Sequence, residues 1–351
     1  MKYVITINKS MIDYINIENT TEYYYYDYLD EKYAPCDNNV IHDDNKTIIS
    51  FVYCMLFIFG LLGNLLVIYV LTYCKKLSTV TDIFLLNLAI SDLLFVMSFP
   101  FQIHYQLSQW IFGNFMCKIV SGLYYIGFYS GMFFVTVMSV YRYISIVHIT
   151  YSLKIKTVKI GYISSLLIWI ISIVLTTPLV VVYQVEKHDQ TLVCYAFYNN
   201  KTFIWRLFIN FEINIIGMLI PFVILLFCYV KILMQLKNCK NKNKVKAIRL
   251  ILIIVFVNII FWIPFNVVLF LTSIHSLHFL EGCKTFKKIT YALYVTEIIS
   301  SSHCCINPLI YSLAGEKFNC HVYNLMVKCK RRTLSISTTS STKSTCAQNA
   351  L

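Results

Sequence analysis

FMCKIVSGLYYIGFYSGMFFVTVMSVYRYISIVHI, residues 115–149, decides the architecture of this chain. Between Lys118 and Arg142 its only ionisable side chains are tyrosines, and it contains no proline. At ~1.5 Å per residue, the run from Cys117 to Arg142 makes a helix roughly 37 Å long. That exceeds a hydrocarbon core of about 30 Å, so the helix must cross a bilayer at a tilt. A cysteine marks one end of the rod, Tyr124 and Tyr125 lie just inside it, and Arg142 marks the other end. One element therefore joins a face where disulfides persist, a polar aromatic interior and the opposite membrane face.

The composition agrees. Of 351 residues, 58% are hydrophobic and 13% charged. A water-soluble fold of this size has nowhere to hide so much apolar surface, which marks an integral membrane protein. A formal net charge of +13 would suit nucleic acid, but the basic residues sit in short segments between apolar runs. That is a topology signal, and nucleic acid is not an expected partner. Met1–Ser10 lacks the apolar core of a secretory signal, so the first span is expected to start insertion. The sequence has no Walker loop, GxSxG, HExxH or paired CxxC, so no catalytic residue, metal site or enzymatic activity is expected.

Residues 1–49 hold nine acidic residues against four lysines and include Tyr23, Tyr24, Tyr25, Tyr26, Asp27 and Tyr28, with few aliphatics to form a core. They read as a disordered arm. Seven apolar runs follow, near 50–74, 82–106, 114–147, 158–182, 205–236, 247–274 and 286–313. The expected fold is an all-α membrane protein, a seven-transmembrane helix bundle over 50–313. The first, third and fifth links and the tail are rich in Lys and Arg, while the other links are mixed or uncharged. The positive-inside bias puts the amino terminus outside and the tail in the cytoplasm. Sequons at Asn8, Asn19 and Asn200 (and at Asn45, close to the membrane) fall on the predicted outside segments, as glycosylation would require. After the bundle, 314–332 reads as a short amphipathic helix on inner-leaflet lipid, and 333–351 as a disordered Ser/Thr-rich tail.

Of thirteen cysteines, Cys36, Cys117, Cys194 and Cys283 fall on the outside face, where oxidation persists. A Cys117–Cys194 bridge would pin the second outer link over the bundle, and Cys36–Cys283 would tie the arm to the third; free thiols are the alternative. Cys320 and Cys329 in the tail are candidates for palmitoylation. Asp92 and Glu297 are the acids singled out within spans, and each must face the interior or water. Asn307 could meet Asp92 across the bundle. Glu297, ten residues before Asn307, lies about 15 Å nearer the outside, where it would present a carboxylate to an incoming cation. Pro100, Pro178, Pro221, Pro264 and Pro308 fall inside spans, where each removes a backbone hydrogen bond. The acidic tyrosine run is a natural bait for a basic protein, the more so if the tyrosines are sulfated.

Gly63-Asn64, Asn87-Leu88-Ala89-Ile90-Ser91-Asp92, Tyr141-Arg142-Tyr143, Phe261-Trp262-Ile263-Pro264 and Asn307-Pro308-Leu309-Ile310-Tyr311 resemble the helix motifs of rhodopsin-like G-protein-coupled receptors. Ser98-Phe99-Pro100, Trp110-Ile111-Phe112-Gly113, Ser302-His303-Cys304-Cys305-Ile306-Asn307-Pro308 and Gly315-Glu316-Lys317-Phe318 resemble the CC-chemokine receptors in particular. Gln102, where many relatives carry tryptophan, looks most like the type 8 branch. The abundance of Ile, Asn, Lys and Tyr would suit an AT-rich genome and hence a virus-encoded homologue.

The resemblance implies a plasma-membrane receptor (in the host-cell membrane if viral) that takes a CC chemokine, a small basic protein, and activates an inhibitory-class G protein, with arrestin as a further partner. It implies ligand contacts at Tyr53, Gln102, Tyr124 and Glu297 and in the tyrosine-rich arm. Glu297 would pair with the ligand's amino-terminal ammonium. Trp262 would sense pocket occupancy above Pro264, and Tyr229 and Tyr311 would rearrange beside Arg142. The family has aspartate before that arginine, and here it is Tyr141. The expected consequence is a less favoured resting state with raised basal signalling; the alternative is a decoy that binds chemokine and couples poorly. Gly131 brings no hydroxyl to the family's sodium region, which argues against sodium at Asp92, and no cofactor is expected. A transporter would want duplicated halves, and a light-driven pigment a lysine in the seventh span; neither is visible.

Overall fold

The computed structural model describes residues 43–74, 77–148, 157–188, 191–197, 203–236, 242–277 and 282–314. The tyrosine-rich arm, Asn8, Asn19, Asn200, Cys36, the stretch after 314 and the tail cysteines lie outside the described residues.

The helices of the spans form at the apolar runs, but the first span begins at Asp43, inside the stretch that reads as a disordered arm: the helix continues past the apolar core into polar residues. The first is α1 (Asp43–Tyr69), ending in a π turn over Val70–Cys74. The second is α2 (Val80–Val96) with α3 (Phe99–Leu107), the third α4 (Gly113–Val147) and the fourth α5 (Val158–Val182). The strands β1 (Tyr183–His188) and β2 (Thr191–Ala196) follow. The fifth span is α6 (Phe203–Glu212), a π turn over Ile213–Leu219 and α7 (Ile220–Leu236). The sixth is α8 (Lys242–Ser276), and the seventh is α9 (Cys283–Ser301) with α10 (His303–Ala314). Among the described residues, six helical runs are long and apolar enough to cross a membrane. The seventh is interrupted at Ser302 and carries Lys284, Lys287, Lys288 and Glu297, which lower its hydropathy.

α4 is the axle of the bundle: 72% of its most apolar stretch is buried, against 28% for the first and fourth spans. On α5 the pattern of a soluble helix is inverted. Gly161, Ser165, Ser172 and Thr176 face inward while Ile163, Leu166, Leu167, Ile170, Ile171 and Val174 are exposed. Lipid is as apolar as leucine, so small residues mediate the helix contacts. Ser165, Ser172 and Thr176 return their hydroxyls to the carbonyls four residues earlier, and Asn87 ties the second span to the fourth by accepting from Trp169 Nε1 at 2.9 Å.

Two glycines allow close contacts. A Cβ on Gly127 would meet Phe95 N at 2.9 Å and Ser91 O at 3.0 Å, so α2 and α4 touch backbone to backbone. A Cβ on Gly63 would meet Pro308 Cγ at 2.9 Å. Pro308 has no N–H to offer the carbonyl of Cys304 four residues earlier. The Asn64 side-chain amide of the first span supplies that bond at 2.9 Å, and also donates to Gly60 O.

Cys117 and Cys194 form a disulfide that joins the start of α4 to β2. The link carrying Cys194, expected only as a loop, is an antiparallel hairpin in which Gln184 faces Tyr195 and Val185 faces Cys194. Trp110 N donates to Leu192 O, Leu192 N to Gln109 Oε1 and Val185 N to Asn114 Oδ1, so the link after α3 and the first turn of α4 hold the hairpin. Lys118 Nζ caps the α5 end, donating to Val180 O and Val181 O. The side chain of Cys283 lies outside the described residues, so its pairing with Cys36 stays an expectation.

Candidate functional site

At the disulfide end the structure gathers the expected ligand contacts. Glu297 on α9 is 1% exposed, and its backbone carbonyl accepts both the Ser300 and Ser301 hydroxyls at 2.8 Å. Tyr53 of the first span, Tyr124 of the third and Tyr294 of the seventh stand close enough for its charge to act on them. The Tyr53 ring meets Phe99 edge-on, and Tyr124 packs against Phe95 at 4.6 Å. Gln102 on α3 is buried, and its Oε1 has no hydrogen-bond partner among the described residues. The result is a buried acid set among phenols and beside Gln102 in a largely apolar cup, suited to a cation with apolar flanks. Above it, Glu186 of the hairpin accepts from Gln184 Nε2 at 3.0 Å and from the Tyr195 hydroxyl at 3.3 Å. Partial burial and the neighbouring Glu186 carboxylate push the Tyr195 phenol up to about 12.

Beneath the cup, Trp262 is fully buried among Phe128, Phe265, Phe95 and His303, with ring centroids 4.5, 6.0, 6.2 and 5.0 Å away. Next comes a polar core. Asn307 Nδ2 donates to Asp92 Oδ2 at 2.8 Å, as the sequence suggests, and His303 Nε2 lies 3.7 Å from Asp92 Oδ1. Ser91 Oγ is engaged with Ser130 and with Gly127 O. Asp92 thus faces two nitrogens, and Gly131 adds no side chain there.

At the far end of α4, Tyr141 packs edge-on against Phe84 of α2. Arg142 Nε has no hydrogen-bond partner among the described residues. The Tyr229 hydroxyl bonds Ser139 at 2.8 Å, one turn from Arg142. The Tyr229 phenol and the Asp82 carboxylate both lie within electrostatic reach of the guanidinium. Asp82 is fixed by a capping box: Thr79 N donates to Asp82 Oδ2 at 3.1 Å, and Asp82 N donates to Thr79 Oγ1 at 3.2 Å. Pro264 lies within α8, two residues after Trp262, and Tyr311 is on α10 with its side chain outside the described set.

Sequence reasoning missed three residues here. Asp82 opens the second apolar run at 82–106, and the sequence alone gives it no role. His303 stood inside a quoted motif without a role. Glu212, buried in the fifth span with its Oε1 accepting from the Tyr129 hydroxyl at 3.2 Å, is a further in-span acid beside Asp92 and Glu297. An acid within an apolar run was the available signal.

A helical bundle closed at one end by a disulfide-pinned hairpin over a buried acid, with an aromatic and polar column leading to an arginine at the other, has the build of a membrane receptor. Residues 63–311 match the family described as 7 transmembrane receptor (rhodopsin family). The chain is 57% identical over 309 residues to C-C chemokine receptor type 8 of Macaca mulatta, covering 88% of this chain and 86% of the relative. It is 55% identical over 314 residues to the Homo sapiens type 8 receptor, covering 90% and 88%. It is also 40% identical over 330 residues to the G-protein coupled receptor homolog Q2/3L of Sheeppox virus (strain KS-1), covering 92% and 85%. The chain belongs to the C-C chemokine receptors of the rhodopsin family. It is accordingly a multi-pass cell-membrane protein of a signalling class, not an enzyme.

Proposed function

We propose that the chain is a cell-surface receptor that takes a CC chemokine at the disulfide end of the bundle and activates an inhibitory-class G protein at the Arg142 end. The amino terminus is outside, as the Lys/Arg bias of the links favours. The acidic, tyrosine-rich arm captures the basic ligand's core; arginines and lysines on the ligand meet the arm's carboxylates, which speeds encounter at low salt. The ligand's amino-terminal segment enters the cup, where its ammonium pairs with Glu297 among Tyr53, Tyr124 and Gln102. The observation that carries this reading is the buried Glu297 carboxylate facing phenols from three different spans.

Occupancy is relayed through Trp262 and the Asp92–His303–Asn307 core to Tyr229, Tyr311 and Arg142, with the Pro264 region of the sixth span as the bending element and arrestin as a second cytoplasmic partner. Tyr141 puts a phenol where the family has a carboxylate to hold Arg142, so the resting state is weakened and basal signalling raised. The composition and the sheeppox relative favour a viral genome as the source.

The same Tyr141 supports a second reading, a scavenger that binds chemokine without G-protein output. Labelled CC chemokines applied as a panel to transfected cells, with calcium and cyclic-nucleotide responses read in parallel, test both. Binding with an inhibitory response supports the signalling receptor, binding without response supports the scavenger, and no binding refutes both.

A further inference from the structure

Glu212 ends α6, where the fifth span enters its π turn. It is 6% exposed. The Tyr129 hydroxyl donates to its Oε1 at 3.2 Å, while the buried Oε2 has no hydrogen-bond partner among the described residues. A carboxylate offers about four lone-pair sites, so this one is underused in an apolar setting where unpartnered polar atoms are costly.

The backbone is shaped to put it there. In a regular helix, residues seven apart share a face to within ~20°. Leu219, seven residues after Glu212, is 54% exposed and Ile220 is 48% exposed, so an uninterrupted helix would turn the acid toward lipid. The π turn over Ile213–Leu219 breaks that register. Glu212 thereby joins Ile213, Gly217 and Met218 on the buried side. Such single π turns recur at functional sites.

Tyr129 also fixes where the acid lies. Tyr125, one turn nearer the disulfide on the same face of α4, has its hydroxyl 3.4 Å from that of Tyr183, under the hairpin. Tyr124, close to Glu297, lies ~140° around α4 from Tyr129 and about 7.5 Å nearer the hairpin. The two acids are thus set by different faces of one helix, Glu212 the deeper.

We infer that Glu212 and Tyr129 form a second cation subsite, which takes a guanidinium or ammonium group from a basic side chain in the ligand's amino-terminal segment while Glu297 takes the terminal ammonium. Arginine is the better fit, because its planar fork can bond both carboxylate oxygens. This inference rests on the chemokine-receptor reading above.

Glu212→Gln removes the charge but keeps an Oε1 acceptor for Tyr129. The probes are a CC chemokine selected by the panel, the same chemokine without its amino-terminal segment, and the intact chemokine with the Lys and Arg of that segment changed to Gln. At matched surface density, the variant should lower the affinity of the intact chemokine about tenfold, equivalent to 1.4 kcal/mol, and leave the other two unchanged. Equal loss for all three probes, or no loss for the intact one, overturns the subsite. The melting temperature of the ligand-free receptor separates a structural role: Glu212→Gln should hold or raise it, and a fall shared with Tyr129→Phe overturns the inference. A wild-type receptor that takes no CC chemokine overturns both readings, whereas normal wild-type binding with an unaffected Glu212→Gln overturns the subsite alone.

Discussion

The imidazole of His303 stands between Trp262 and Asp92: its ring is 5.0 Å from the indole and its Nε2 is 3.7 Å from the Asp92 carboxylate. Its Nδ1 is held on the other side by Ser300 O at 2.6 Å, so the ring has little freedom to turn. A single side chain therefore touches both the aromatic floor of the cup and the polar core. His303→Leu keeps a bulky apolar contact with Trp262 but withdraws one of the groups facing Asp92. Leaving the buried Ser300 carbonyl without the Nδ1–H donor costs roughly 1–3 kcal/mol. The expected outcome is unchanged chemokine affinity, a lower melting temperature and a smaller maximal response. Affinity falling in step with the response would show that His303 shapes the cup and does not relay it.

Arg142 follows Tyr141 on α4, and Tyr141, Tyr229 and the Asp82 carboxylate of α2 all lie within electrostatic reach of its guanidinium. Asp82 is locked by Thr79 in the first turn of α2, and Phe84 of that helix packs on Tyr141. Restoring the family's acid by Tyr141→Asp should stabilise the resting state; at ~1.4 kcal/mol, ligand-free signalling falls about tenfold. Asp82→Asn in the Tyr141 background removes an electrostatic restraint and should raise it. Basal cyclic-nucleotide levels at equal surface expression give the comparison. Equal values in the three forms would remove any role for charge at this end of α4.

Most of this arrangement was legible in the sequence, for specific reasons. The length of the apolar runs set the spans, six of them long and apolar enough to cross, because a bilayer admits few alternatives to a helix of about twenty residues. The Asp92–Asn307 contact followed from the rarity of buried polar groups, and Cys117–Cys194 from the compartment of its thiols. What escaped was local backbone geometry. Residues 213–219 are mostly ordinary apolar residues, so nothing in them announces a π turn. Without that turn, the direction of Glu212 cannot be derived. The strands 183–188 and 191–196 are six residues each, and their pairing rests on the disulfide and on Trp110, Gln109 and Asn114 reaching from elsewhere in the chain.

Asn64 and Gly63 make a stability prediction that does not depend on any ligand. Asn64→Leu leaves the Cys304 carbonyl without the donor that replaces the missing Pro308 N–H, at a cost of about 1–3 kcal/mol. Gly63→Ala drives a methyl to 2.9 Å from the Pro308 ring, forcing the first and seventh spans apart. Both should lower the melting temperature and the surface expression of the ligand-free receptor. The two changes meet at one contact, so the double variant should lose less than the sum of the singles. Strict additivity would mean that Asn64 and Gly63 stabilise separate features.

In the proposed function the cup and the arm carry different parts of binding, which separates them experimentally. Glu297→Gln keeps the shape of a side chain that is 1% exposed and deletes its charge. Only a ligand with an ammonium in the cup should register the change, as a drop in potency of about tenfold or more, the ~1.5–3 kcal/mol of a charge-assisted hydrogen bond. Removing residues 1–35, with their acidic and tyrosine-rich run, should instead weaken capture of both the intact chemokine and a form lacking its amino-terminal segment. That capture should also show a steep salt dependence that the deletion flattens. The sharpest contrast is the truncated chemokine, whose binding should ignore Glu297→Gln and suffer from the arm deletion. If the truncated ligand is as sensitive to Glu297→Gln as the intact one, the carboxylate supports the receptor's own fold and not the ligand's amino terminus.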